Sequence, residues 1–210
     1  TAGVGFLVEE GWVDKVLQMT RYSERIMVLR VRVGKSVLCV VSVYAPQVGR
    51  TMEEKEEFFV SLGEVLSTVD AKERLVVCGD MNGHVGARKD GFEGVHGGYG
   101  YGERNAEGEM LLEFADAMKL VVANTWFKKE DHRLVTYESG GCRTVVDYIL
   151  VRREELRWLT NATVVRSEPS LQQHKLLMGT PQLEDCRRMK EKTVFVSKCK
   201  VWKLKEPETR

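Results

Sequence analysis

Short apolar runs rich in β-branched residues and closed by turn formers recur along the chain, and they predict strands. Gly3 to Val8 reads as a short buried strand. Arg25 to Val33 alternates Ile26 and Val28 with charged neighbours up to the turn at Gly34-Lys35, and Ser36 to Tyr44 returns as its hairpin partner. Leu75 to Cys78 is a continuous apolar run ending at Gly79, and Thr144 to Val151 is another, preceded by Gly140-Gly141. Leu120 to Ala123, Leu134 to Tyr137, Ala162 to Arg166 and Leu176 to Met178 carry weaker forms of the same pattern.

Helical spacing replaces alternation twice. Thr51-Met52-Glu53-Glu54 has the form of a capping box, in which Thr51 and Glu54 satisfy each other's free backbone donors. Phe58, Leu62, Val65, Leu66 and Val69 then fall on one face. A second helix is predicted to start after its cap, Asn105, and to run to about Met118, burying Leu111, Phe114, Ala115 and Met118. Many short strands, hairpins and two helices predict an α+β architecture of layered sheets.

A long Gly-rich loop separates Gly79 from Asn105. Loops of that length are functional or disordered. This one holds no G-x-x-x-x-G-K-[ST], and Gly100-Tyr101-Gly102 lacks the third glycine of a dinucleotide fingerprint, which argues against nucleotide binding. His84, His96 and His132 have no partner at metal-ligand spacing and read as solvent-facing.

Composition narrows the class. The 210 residues are 43% hydrophobic and 30% charged, the balance of one soluble globular domain. The longest apolar stretch, Val37 to Val43, is interrupted by Ser42 and falls short of the roughly 20 residues that a membrane helix needs, so no membrane role is expected. Five cysteines are scattered and never spaced C-x-x-C, which predicts a reducing, intracellular compartment rather than disulfides or a zinc knuckle. From Arg187 to Lys205 there are eight basic residues and one acid, Glu191, so this stretch carries +7 while the whole chain carries +1. A boundary is predicted near Leu183, with a domain at 1–183 and a basic tail or linker at 184–210 able to meet phosphates.

Four places set a polar group at the end of, or inside, an apolar strand, where a rigid scaffold can aim it. Tyr44 closes a strand in Val43-Tyr44-Ala45-Pro46. Asp80 and Asn82 follow a buried strand in Gly79-Asp80-Met81-Asn82, spaced so that a carboxylate and an amide could share a metal-bound phosphate. Asp147 lies inside Val145-Val146-Asp147-Tyr148-Ile149-Leu150, and burial of a carboxylate demands a partner. His174 precedes the apolar pair Leu176-Leu177.

These four places, in this order, resemble the endonuclease/exonuclease/phosphatase superfamily typified by deoxyribonuclease I. The resemblance runs from Gly3 to about Met178. The stretches Gly79 to Gly86, Gly98 to Asn105, Asn124-Thr125-Trp126-Phe127 and Gln173-His174-Lys175-Leu176-Leu177 are similar to the endonuclease domains of non-LTR retrotransposons. Val201-Trp202-Lys203-Leu204 is similar to the linker that in those elements leads towards a reverse-transcriptase module.

The resemblance implies a two-layer β-sandwich flanked by helices and a Mg²⁺-dependent (or Mn²⁺-dependent) phosphodiesterase that nicks DNA in the nucleus or cytoplasm. Asp80 would orient or activate water and bind the metal, Asn82 and Tyr44 would hold phosphate oxygens, and His174 would meet the scissile phosphate with Asp147 as its partner. Gln173 stands where the superfamily normally has a second metal-binding Asp. In the superfamily an Asn-bearing strand and a Glu-bearing element precede the segment that matches Gly3 to Leu7, so the resemblance implies an N-terminally truncated domain with weakened metal binding. Two alternatives accompany this expectation: a catalytically inactive domain that only binds nucleic acid or protein, and a phosphatase acting on a small phosphorylated substrate.

Overall fold

The computed structural model describes residues 3–165 and 173–182. Its backbone is a six-stranded sheet in the order β1-β2-β3-β4-β8-β5. The strands are β1 (Val16–Arg21), β2 (Ile26–Val33), β3 (Ser36–Tyr44), β4 (Arg74–Asp80), β5 (Leu120–Val122) and β8 (Asp147–Arg152). β2 and β3 form the expected hairpin, paired from Ile26 with Val43 to Val33 with Ser36. β3 and β4 run parallel, which requires a crossover, and helix α2 (Met52–Ser67) supplies it.

Local chemistry explains the helices. Oγ1 of Thr51 accepts from the Glu54 N–H at 3.3 Å while the Glu54 carboxylate accepts from the Thr51 N–H at 3.2 Å, so the capping box is formed. Helix α3 (Ala106–Ala117) is capped by Asn105, whose Oδ1 accepts from Gly108 N and from His84 N, each at 2.8 Å. The cap therefore also ties the segment after β4 to α3. Phe58, Leu62, Val65 and Leu66 of α2 and Leu111, Leu112 and Ala115 of α3 pack with Ile26, Val28, Val41, Val43 and Val77 of the sheet.

The opposite face of the sheet carries Val121, Ile149 and Val151, which meet Leu159 and Ala162 of β9 (Leu159–Val164). β9 pairs with β10 (Leu177–Pro181) in a two-stranded sheet. β6 (Tyr137–Ser139) and β7 (Cys142–Thr144) form the third sheet, a small hairpin. The layered α+β fold read from the sequence is the one observed. Between the β3–β4 half of that opposite face and β10 lies a cavity of about 500 Å³ lined by Leu38, Val40, Val76, Ile149, Leu159 and Leu177.

Several elements differ from the sequence reading. Gly3 to Val8 is not a strand: it runs as irregular chain with Leu7 exposed, because no described strand lies alongside it to complete a ladder. The Arg21 guanidinium donates to the Val4 carbonyl at 2.9 Å. Thr144 to Val151 is split at Val145-Val146 into β7 and β8, and Leu134 to Tyr137 contributes just its last residue to β6. The short helix α1 (Glu10–Val13) and edge strand β1 have no clear pattern in sequence, since α1 buries nothing and β1 is largely exposed. The proposed boundary and tail, from residue 183 onward, lie outside the described residues.

Candidate active site

Three neighbouring strands bring their ends together. Tyr44 of β3 is in register with Asp80 of β4, and Asp80 is the cross-strand partner of Asp147 of β8. Gly79 permits this close approach: its φ is +147°, and a Cβ there would meet the Val43 carbonyl oxygen at 1.9 Å. Any side chain at 79 would push β3 and β4 apart immediately beside Tyr44 and Asp80.

His174 completes the arrangement from the other side of the site. Its Nδ1 lies 3.0 Å from Oδ2 of Asp147, and its Nε2 lies 3.9 Å from Oδ2 of Asp80. Asp147 thus has the partner that its position in an apolar strand demanded. The hydrogen bond to Asp147 raises the His174 pKa above the ordinary imidazole value, against the opposing effect of burial. Asp80 is pushed up to about 6, chiefly by burial and also by the Asp147 charge, while the Asn82 N–H and His174 pull it back.

Asn82 adopts a left-handed conformation, φ +49°, just past Asp80. Its backbone N–H donates to Oδ1 of Asp80 at 2.9 Å, and its side-chain amide donates to the Ala45 carbonyl at 2.8 Å, joining the ends of β3 and β4. Tyr44 is oriented by Gln47, whose amide donates to the phenolic oxygen at 2.9 Å and leaves the hydroxyl proton free. Arg25 stacks over the Tyr44 ring and donates to its carbonyl at 3.2 Å. Tyr44, Asp80, Asn82, Asp147 and His174 are thereby gathered at one end of the sheet. Gln173 is exposed, and its amide nitrogen donates to Oγ of Ser139 at 3.0 Å.

Asn124 belongs to this site and received no role from sequence alone. Beyond the end of β5, its side chain continues the ladder: Nδ2 donates to the Asp147 carbonyl at 3.0 Å and Oδ1 accepts from Ile149 N at 2.9 Å. The signal lay in the Asn124 to Phe127 stretch, without a mechanism attached. His96 corrects the reading of a solvent-facing histidine, since it is fully buried. Its Nε2 bonds the Gly86 carbonyl at 3.1 Å and its Nδ1 accepts from Gly98 N at 3.0 Å, so the ring clasps the Gly-rich loop.

A divalent cation fits part of this donor set. Mg²⁺ keeps several waters and is held by one or two carboxylates together with substrate phosphates. Asp80 offers such a carboxylate, mostly buried and beside the like charge of Asp147, with Oδ1 engaged by a backbone N–H. Gln173, the other metal donor expected from the sequence, is exposed, with its amide nitrogen turned to Ser139. Among the described residues no three acidic, histidine or cysteine side chains converge.

No family model matches the chain. Craniofacial development protein 2 of Tragulus javanicus is 28% identical over 187 residues, covering 87% of this chain and 32% of the relative. The protein of the same name in Bos taurus is also 28% identical over 187 residues, with 31% of its length covered. The chain thus spans about a third of the length of the curated relatives it matches. Among solved structures, the endonuclease domain of TRAS1, a telomere-specific non-LTR retrotransposon, aligns with a TM-score of 0.58 at 17% identity over 81% of this chain and 69% of that chain. The 3'-5' exonuclease NExo of Neisseria meningitidis aligns with a TM-score of 0.56 at 15% identity over 77% of this chain and 66% of that chain. The fold is thus shared with these nucleases, and the likeness to craniofacial development protein 2 is consistent with the resemblance to the endonuclease/exonuclease/phosphatase superfamily read from the sequence.

Proposed function

We propose that this domain hydrolyses a phosphodiester bond of DNA, nicking one strand with the help of a divalent cation. The carrying observation is the placement of His174, hydrogen-bonded to Asp147 through Nδ1 at 3.0 Å while Nε2 stays 3.9 Å from Asp80. Nε2 is thereby left for a phosphate oxygen. The bond to Asp147 fixes the ring and favours the imidazolium, which donates to the phosphate as charge develops on it. Asp80 orients the attacking water. The free proton of Tyr44 and the second N–H of the Asn82 amide donate to non-bridging oxygens.

Asp80 and Oε1 of Gln173 would hold Mg²⁺ or Mn²⁺, whose positive charge would offset that of the phosphate and the leaving oxygen. Support for a DNA substrate comes from solved neighbours, one a retrotransposon endonuclease domain and another a 3' phosphatase bound to product DNA hairpin. In this reading the basic segment at 184–210 leads towards the reverse-transcriptase module of a parent element, and the site of action is the nucleus. No helix among the described residues is long and apolar enough to cross a membrane.

Nicking of supercoiled plasmid by the purified protein tests the proposal, with EDTA and His174→Ala as controls. Relaxed circles that depend on both metal and His174 are expected. A folded protein that retains DNA without relaxing it would instead mark a binding-only domain.

A further inference from the structure

Asp147 and His174 lie on separate segments, and one buried residue touches the backbone of both. Thr136 is fully buried. Its Oγ1 accepts from Val146 N at 3.0 Å and from Asp147 N at 3.1 Å. Its carbonyl accepts from Lys175 N at 2.7 Å, and its own N–H donates to the Thr144 carbonyl at 3.1 Å. One residue further on, Tyr137 forms an antiparallel bridge with His174, and its ring meets the imidazole edge-on with centroids 4.9 Å apart.

The hydroxyl acts where no backbone carbonyl does. β8 starts at Asp147, and Val145-Val146 is not part of a strand. Two consecutive N–H groups would lack an acceptor there, and buried donors are paired in native structures. Thr136 supplies that acceptor through its side chain while its carbonyl holds the chain beside His174. The 3.0 Å contact between Nδ1 of His174 and Asp147 lies between these two anchors.

We propose that Thr136 is a positioning residue for the Asp147–His174 pair, its hydroxyl fixing Asp147 and its carbonyl fixing the segment that bears His174. The functional consequence rests on the nuclease reading, but the geometric one does not. Removal of the hydroxyl lets the start of β8 shift, and the imidazole loses the acceptor that selects its Nδ1–H form.

The test compares Thr136→Val, which keeps shape but removes the acceptor, with Thr136→Ser, which keeps the acceptor. Imidazole nitrogen shifts of histidine-labelled protein, read at alkaline pH where the ring is neutral, report the tautomer of His174 without any substrate. The Nδ1–H form is expected to dominate in the wild type and in Thr136→Ser, and the ordinary Nε2–H form to gain in Thr136→Val. Plasmid nicking by Thr136→Val is expected to fall about 100-fold in kcat, with KM for DNA unchanged and serine restoring the rate. An unaltered tautomer in a folded Thr136→Val protein overturns the proposal. If the valine variant does not fold, loss of the Nδ1–H form in Thr136→Ser overturns it equally. A wild-type protein that never nicks DNA refutes the nuclease reading and leaves the tautomer comparison standing.

Discussion

Asp80 and Asp147 face each other as cross-strand partners at the end of the β4–β8 ladder. The register puts both carboxylates on one face of the sheet, where two like charges repel. His174 compensates on the Asp147 side. Asp80 is left mostly buried, and its pKa rises to about 6.

A pH signature follows from that rise. The native state holds the Asp80 proton more tightly than the unfolded chain does, so this group's contribution to stability falls as pH rises from about 4 to about 6 and stays low above that. Asp80→Asn is expected to remove the falling limb and to raise stability at pH 7 by about 2 kcal/mol, read from denaturant melts. Added Mg²⁺ should raise the wild-type Tm at pH 7 and leave the variant's unchanged. A cation that shifts both equally would exclude Asp80 as its ligand.

His174 behaves in the opposite sense. Its folded pKa is raised by the bond to Asp147, so the stability it adds is complete below the ordinary imidazole value near 6.5 and is lost as pH rises through the folded value. The ring is about one-third exposed, and solvent screening keeps this contribution below about 1 kcal/mol. Asp147→Asn should abolish that pH dependence. His174→Ala should cut nicking by about 10²- to 10⁴-fold while changing stability little, and a loss under tenfold would argue against its role at the phosphate.

The parts of the fold legible in the sequence were those with strong local rules. The Thr51–Glu54 box, the Asn105 cap and the Ile26 to Tyr44 hairpin all follow from residue type and spacing, and each formed. Gly3 to Val8 has an equally apolar pattern but no strand alongside it among the described residues, and strand formation needs a partner that sequence periodicity does not encode. The burial of His96 was illegible for a related reason: its partners are backbone groups at Gly86 and Gly98, which carry no side-chain signal. Asp80, Asp147 and His174 were individually visible as polar groups at strand ends. Their meeting depends on the β4–β8 register and on the bridge between Tyr137 and His174, both long-range facts.

Gly79 tests the closeness of β3 and β4. Gly79→Ala would place a methyl group against the Val43 carbonyl in a backbone conformation that L-residues avoid, and the strands would have to separate. A destabilisation of about 1–3 kcal/mol or more is expected, together with loss of nicking beyond what reduced folding explains. A fully stable and active variant would show that the approach at Val43 is not required.

The Tyr44 hydroxyl offers a finer probe. Gln47 donates to its oxygen, so the phenolic proton points away from that amide and stays free for a phosphate. Gln47→Leu removes the constraint without touching Tyr44 itself. A several-fold loss of nicking is expected with unchanged stability, since Gln47 lies at the surface, whereas Tyr44→Phe should cost about 10-fold or more. Equal effects of the two substitutions would mean that Gln47 contacts the substrate directly.

Asn124 ties the end of β5 to the start of β8 through both ends of one amide. Asn124→Leu leaves the Asp147 carbonyl and the Ile149 N–H buried without partners, which costs about 1–3 kcal/mol. Asn124→Asp keeps an acceptor for Ile149 but sets a carboxylate against the Asp147 carbonyl, so it should be no better tolerated. Asn124→Gln keeps both functions with one methylene too many in a buried space, and is expected to recover part of the stability. Faster amide exchange at Ile149 in the leucine variant, measured by NMR, distinguishes loss of this clamp from a general loosening of the core. If Ile149 stays as protected as its neighbours, Asn124 has no part in placing Asp147.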